Sequence, residues 1–324
     1  MLTPMLDFPA ISEGEAFRAW RASPSSWLPI ALDIAKAHEL PFDDIEVFEA
    51  GTNLVVGLGS RFVLKIFPPF LRRQFTAEGL TLPLLTHRVD VSIPEIVAVG
   101  ERDEWPYLVM TRIKGRLGSE VWPRLTDDQK TTVLGQIGAT IAQVQSAPLG
   151  ELTELEPQWP TFIKGQINHC RARHVRLGLP AKFFDSLDEL ESEAPSLIPM
   201  DQPPVILAGE YIPENFLLAP HDDGWKLAGL IDFGDVITGW GEYDLLGPSA
   251  FMTGGTPSRV WSLLEGFGYS PANIPDRLGR RLLALMFLHR ASDPLRHVCI
   301  PGWEHRAKTL FDLQHMLWPF DQAG

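Results

Sequence analysis

Cysteine, basic charge and long apolar runs are all scarce in this 324-residue chain. Two cysteines, Cys170 and Cys299, cannot build a disulfide framework, and they match no metal-ligand spacing. A reducing, cytoplasmic compartment is the expectation. Lysine and arginine number 28 against 41 acidic residues, a net charge of -13, which argues against nucleic acid because phosphate binding needs a clustered positive surface. No stretch approaches the roughly 18 apolar residues of a membrane span. The opening "MLTPMLDFPAISEGEAFRAW" lacks the basic start and sustained apolar segment of a signal peptide. Internal repeats and low-complexity tracts are missing too, and nothing points to an obligate protein partner.

What is present is a 45% hydrophobic, 21% charged composition, that of a soluble globular protein, at a length that fits two lobes. The acidity suits a polycationic small molecule, which a negative surface would steer and hold; solubility alone would also account for it.

Residues 12–40 read as two helices ending before Pro41. Then the period changes. "IEVFEAGTNLVVGLGSRFVLKIF" (45–67) is rich in β-branched and aromatic residues and broken by glycines, which predicts three antiparallel strands. A helix over 75–88, weakened by Pro83, and two strands within 91–115 complete a small lobe, residues 1–110. The remainder, 111–324, reads as mainly helical. Helices are expected over 125–147 behind a Thr cap, 157–178, 181–197, 275–295 and 304–317, with a few short strands between 205 and 247. The fold class is therefore α+β and bilobal.

In the glycine-broken hairpin, Gly51, Gly57 and Gly59 permit close backbone approach to phosphates, or simply serve turns. Lys65, inside the apolar "FVLKIF", must send its ammonium into a cleft or pair with a carboxylate, and Glu78 on the next helix is the natural partner. Further on, "VILAGEYIPENFLLAP" and "LAGLIDFGD" put Glu210, Asn215 and Asp232 at the mouths of successive apolar segments, with Pro213 stiffening the turn. Phosphoryl transfer asks for a carboxylate near the acceptor hydroxyl and for oxygen ligands to magnesium. Glu210 can be the first, and Asn215 and Asp232 the second; each alone could be a turn-forming polar residue.

The ordered set "GTNLVVG", "FVLKIF", "WPYLVMTRIKG", "IGATIAQVQSAPLG", "GEYIPENFLL", "GLIDFGD", "EYDLLG" and "LLALMFLHR" resembles the aminoglycoside phosphotransferase family of kinase-like small-molecule kinases. Within it the pattern is most similar to the hygromycin B phosphotransferases that modify the 7″ hydroxyl. The resemblance runs from about residue 45 to 290. It implies a protein-kinase-like fold, ATP or GTP with Mg2+ as cofactors, and a cationic amino-sugar as acceptor. It also implies that Lys65 contacts the nucleotide phosphates and pairs with Glu78, that Val109 and Met110 line the adenine pocket, and that Asn215 and Asp232 hold magnesium. Asp244 matches a carboxylate that braces the catalytic loop. Asp235, Glu214 and Glu242 fall near the expected acceptor face, where Trp240 could stack on a sugar.

The chain also departs from that pattern. Where the family writes His-Gly-Asp, this sequence has Ala208, Gly209 and Glu210, and the base candidate is one methylene longer. Gln145 replaces a histidine, and Gly239-Trp240-Gly241 replaces Gly-Asp-Pro. Three readings stay open: a kinase of an aminoglycoside, a kinase of another hydroxylated metabolite such as a choline-like or sugar acceptor, and a nucleotide-binding pseudokinase. His289, His297, His305 and His315 match no metal motif. The basic run "CRARHVRLG" reads as a solvated helix face.

Overall fold

From Ile45 onward apolar residues recur at every second position, and the chain answers with a sheet. In the computed structural model, which describes residues 7–222 and 224–320, strands β1 (Ile45–Phe48), β2 (Leu54–Leu58), β3 (Phe62–Ile66), β4 (Ile96–Arg102) and β5 (Trp105–Thr111) pair antiparallel in the order β1-β2-β3-β5-β4. Helices α1 (Gly14–Arg21) and α2 (Pro24–Ala37) supply the apolar residues that cover one face. The core between them gathers Phe17, Trp27, Ile34, Leu64, Ile66 and Val109. Phe8 stacks on Trp105 at 4.8 Å, and Trp20 tilts against the same indole at 5.4 Å. Helix α3 (Arg72–Leu85) continues through Pro83 to its last turn.

By its internal contacts the chain divides into two units. The first takes the chain up to Thr86, Ser92–Lys114 and Ile231–Asp235; the second takes His87–Val91, Gly115–Leu230 and the chain from Val236. The segment 231–235 thus belongs with residues that precede it by more than a hundred positions, which no single boundary in the sequence can express.

The second unit opens with β6 (Arg116–Leu117) and α4 (Asp127–Ser146). Thr126 and Gln129 exchange side-chain and backbone hydrogen bonds at the start of α4, a capping box that satisfies two otherwise orphaned groups. Helices α5 (Trp159–Arg176) and α6 (Phe184–Leu197) follow. Two small sheets come next: β7 (Val205–Leu207) pairs with β10 (Ile237–Gly239), while β8 (Phe216–His221) lies between β6 and β9 (Gly224–Leu230). Helices α7 (Pro257–Phe267), α8 (Leu278–Leu288) and α9 (Leu310–Leu317) complete it.

Helix α7 was not expected from the sequence, although Thr256-Pro257 and Gly268 mark its ends. It packs closely along α4, where a Cβ on Gly138 would meet the Leu263 carbonyl at 2.1 Å, so only glycine permits the crossing. Helix α8 is shorter than the expected 275–295, ending before His289. No helix among the described residues is long and apolar enough to cross a membrane.

Candidate active site

Strand alternation sorts the first unit's residues. Leu64 and Ile66 of β3 face the core beneath α1 and α2, so Lys65 points to the opposite face. There its Nζ donates to Glu78 Oε2 on α3 at 2.6 Å and to Asp232 Oδ1 at 2.9 Å. Lys65 and Glu78 are almost wholly buried, while about a third of the Asp232 side chain is open to solvent. Burial alone would lower the Lys65 pKa; the Asp232 and Glu78 carboxylates more than reverse it and hold the ammonium above its ordinary value. Asp232 sits at φ +67°, a left-handed conformation costly for a non-glycine residue and typical of sites where the surroundings enforce it.

The same alternation corrects one expectation. Val109 of β5 is wholly buried in the core under α1 and α2, so its side chain cannot line a nucleotide pocket. Met110, its neighbour on the strand, pairs with Val63 and shares the face of Lys65.

The glycines of the hairpin also separate. Gly51, at φ +88°, has open space where a Cβ would stand, as a turn open to a ligand requires. Gly57 is a packing glycine: a Cβ there would meet Arg112 Nη1 at 2.7 Å, and that guanidinium pairs with Glu46. The turn itself is held by Arg21 of α1, which donates to the Asn53, Glu49 and Ala50 carbonyls. Nothing in the spacing of Arg21 announces this. Asn53 donates to Gln74 of α3 at 3.1 Å, and Gln74 donates to Asp235 at 3.3 Å, so Asp235 is tied into the first unit.

In the second unit the 208–215 loop runs between β7 and β8. Its fixed point is Asp244, a wholly buried carboxylate: Oδ1 accepts the Gly209 N–H at 2.9 Å and Oδ2 accepts the Ala208 N–H at 3.1 Å. Gln145, standing where a histidine was expected, donates to the Gly241 carbonyl at 2.8 Å and reaches Asp244 Oδ2 at 3.5 Å. Burial pushes the Asp244 carboxyl up to about 7, with the backbone donors pulling the other way. Gly247 lets its chain approach closely, since a Cβ would meet the Tyr211 carbonyl at 2.4 Å.

Asn215 donates Nδ2 to the Glu210 carbonyl at 3.0 Å, which leaves Oδ1 as the atom it can offer a cation. Arg290 Nη2 lies 3.7 Å from Glu210 Oε1.

The side chain missing at Ala208 is compensated from elsewhere. His289, just past α8, stacks on Tyr243 at 4.7 Å. Its Nδ1 accepts the Ala291 N–H at 3.2 Å, which leaves Nε2–H to donate to the Gly209 carbonyl at 3.4 Å. Burial, reinforced by Arg290, pushes its imidazole down to about 3, so the ring is neutral. The end of α8 is fixed in turn by α5: His174 and Arg173 contact the Phe287 carbonyl at 2.9 and 2.8 Å. In the run 170–178, Arg171 and Arg176 are exposed, as a solvated helix face requires, while Cys170 and His174 on the other side are buried.

Glu242 also needs correction. Expected at an acceptor face, it is 1% exposed and engaged by the Arg281 guanidinium through Nε and through Nη2, the latter at 2.8 Å, and by Tyr269 at 3.0 Å. A partner 39 positions away is invisible to local pattern. Glu214 is exposed and Trp240 half-buried, yet neither lines the cavity beside Glu210. That cavity, about 240 Å³, is formed by residues of 209–212, 246–251 and 286–298.

Among the described residues no group of three or more His, Cys, Asp or Glu side chains is placed to hold a metal ion. Magnesium does not need one, because it takes one or two protein oxygens and completes its shell with water and phosphate. Asp232 in the first unit and Asn215 in the second each present an oxygen of that kind.

Comparison with curated proteins returned no match. Among solved structures, the GDP complex of wild-type aminoglycoside 2'-phosphotransferase-IIIa superimposes with a TM-score of 0.67 at 19% identity, covering 90% of this chain and 98% of that one. The GDP and kanamycin complex of APH(2")-IIia gives 0.65 at 21% identity, over 81% and 89% of the two chains. Macrolide 2'-phosphotransferase MphH from Brachybacterium faecium gives 0.57 at 17%, over 79% and 87%. At these identities the likeness establishes the kinase-like fold. Residues 45–281 match the phosphotransferase enzyme family, and the chain belongs to that family.

Proposed function

We propose that the protein transfers the γ-phosphate of ATP or GTP, with magnesium, to a hydroxyl of a small molecule, and that Glu210 accepts the hydroxyl proton. The observation that carries this is the Lys65, Glu78 and Asp232 cluster, a buried ammonium held in its charged form by two carboxylates. Such an ammonium is suited to nucleotide phosphates, with Met110 on the same face and Gly51 at an open turn. Magnesium would supply charge neutralisation on the phosphates, and Asp232 and Asn215 are the residues proposed to offer it an oxygen. Asp244, Gln145 and His289 hold the loop that presents Glu210, which matters because positioning dominates this chemistry.

An amino-sugar acceptor of the hygromycin B type is supported by the net charge of -13 and by the aminoglycoside phosphotransferases among the similar structures. Asp235, Glu214 and Trp240 are its candidate contacts, and antibiotic resistance would be its consequence. A second reading, a less charged hydroxylated acceptor, is favoured by the walls of the cavity beside Glu210. Magnesium-ATP turnover against an acceptor panel tests the reaction. Glu210→Ala should abolish acceptor-dependent ADP release while leaving nucleotide affinity intact; an undiminished rate would remove Glu210 from the base position.

A further inference from the structure

The cavity beside Glu210 has a chemical character that the net charge of the chain hides. Its walls are largely apolar, with Leu246, Ala250 and Phe251 on one stretch of chain and Met286, Pro294 and Val298 on another. Two carboxylates line it, Glu210 and Asp293, and Glu210 already faces Arg290 at 3.7 Å. His297 also lines it, its ring 4.9 Å from that of Phe251, and His289 is committed to the Gly209 and Ala291 backbone. Glu242, the other acid expected to receive a cation, is engaged by Arg281.

A molecule carrying several ammonium groups needs a carboxylate or water for each, since burying an unpaired charge against apolar walls is costly. This cavity does not provide that set. It provides instead an unsatisfied polar atom: Ser292 lines it, is 5% exposed, and its hydroxyl has no hydrogen-bond partner among the described residues. A buried orphan hydroxyl lining a cavity is a position for a ligand oxygen or nitrogen.

Resting on the phosphotransferase reading above, and on its second acceptor in place of the amino-sugar, we infer that the acceptor is a molecule with an apolar ring face and at most one positive charge. It seats in this cavity with its reacting hydroxyl toward Glu210 and a second polar group on Ser292. Transfer then breaks the bond between the γ-phosphorus and its bridging oxygen and forms a phosphate ester on the acceptor oxygen. The acceptor's proton goes to the Glu210 carboxylate, and the nucleoside diphosphate leaves. Ser292 makes a contact that sorts acceptors, and Ala291, exposed beside it, stands at the rim.

The test uses the full chain with magnesium and ATP. Nucleotide binding is read first, by the shift in melting temperature. Borneol, cyclohexanol and 1,4-cyclohexanediol are then assayed for binding and for acceptor-dependent ADP release, beside kanamycin and hygromycin B. The expected result is selection of the ring alcohols over both aminoglycosides. Ala291→Trp, a filling substitution at an exposed position, should abolish that selection, and Ser292→Ala should weaken the diol by roughly threefold to tenfold, the worth of one hydrogen bond, while sparing the mono-alcohols. Turnover of an aminoglycoside that Ala291→Trp leaves unchanged would overturn the inference while the phosphotransferase reading stands. Failure of every ring alcohol to bind a chain that still binds nucleotide would do the same. Failure to bind nucleotide at all would remove both.

Discussion

The two sets of candidate site residues are held by opposite means. In the first unit, Lys65 is fixed by charge: two carboxylates close on one buried ammonium. In the second, the loop bearing Glu210 is fixed by neutral geometry, with backbone N–H groups on a buried carboxylate, an uncharged imidazole on a carbonyl, and a close backbone approach at Gly247. On the proposed function the difference has a physical reason. A phosphate-binding ammonium must stay charged before the ligand arrives, so it needs counter-charges at rest. A base must keep its own carboxylate available, so its loop is better held through the main chain.

Breaking the charged cluster should have the largest effect. Lys65→Ala leaves Glu78 buried without its cation, and removing one partner of a buried pair costs about 3–5 kcal/mol. Chemical denaturation should show that loss together with loss of turnover. The double change Lys65→Met with Glu78→Leu removes the two buried charges, leaving the part-exposed Asp232, and should recover most of the stability but none of the activity. Equal destabilisation in single and double variants would mean that packing around Lys65, and not its pairing, carries the stability.

The neutral brace should give way by a smaller amount and with a different signature. Asp244→Ala orphans the Ala208 and Gly209 N–H groups, and unsatisfied buried donors cost about 1–3 kcal/mol each, so about 2–4 kcal/mol is expected after relaxation. The pH dependence separates the brace from the cluster. The Asp244 carboxyl stands at about 7 in the folded chain against an ordinary 3.8, so between those values the folded chain keeps a proton that the unfolded chain has released. Its contribution is therefore fully present below about pH 4 and is lost as pH rises through about 7, a change of about 4 kcal/mol. Asp244→Asn cannot titrate, so the stability difference between wild type and this variant should narrow from pH 4 to 8. A difference that stays constant would place the Asp244 carboxyl near its ordinary range.

The same contrast explains what could be read from the sequence. Lys65 was legible because a lysine among strand apolar residues demands a carboxylate, and Glu78 lay on the next helix. Asp232 was legible as a carboxylate after a buried strand, though not as the second partner of Lys65, a pairing across 167 positions. The sheet and the long helices followed from period and caps. Val109 was misplaced because "YLVM" names four residues of one strand without saying which face each takes. The braces were hardest: His289 matched no metal motif, Arg21 carried no pattern of its own, and Ser292 fell inside the helix expected over 275–295. Each acts through a main-chain carbonyl or a cavity, and neither leaves a side-chain pattern in the sequence.

The smallest expected effect lies where the two strategies meet. Arg290 and Glu210 form a charged contact inside the otherwise neutral brace, at 3.7 Å and with side chains 28% and 31% exposed. A pair that open to solvent contributes about 0.2–1 kcal/mol and weakens with salt. Arg290→Gln should therefore cost less than about 1 kcal/mol of stability, and its coupling to Glu210→Gln in a double-mutant cycle should shrink as salt is raised. Turnover is the sharper readout. If Arg290 orients the Glu210 carboxylate, Arg290→Gln lowers kcat and leaves the nucleotide KM unchanged, because the ammonium proposed to contact the nucleotide is that of Lys65. A rise in nucleotide KM instead would assign Arg290 to phosphate binding, and the loop would no longer be a neutral counterpart to the Lys65 cluster.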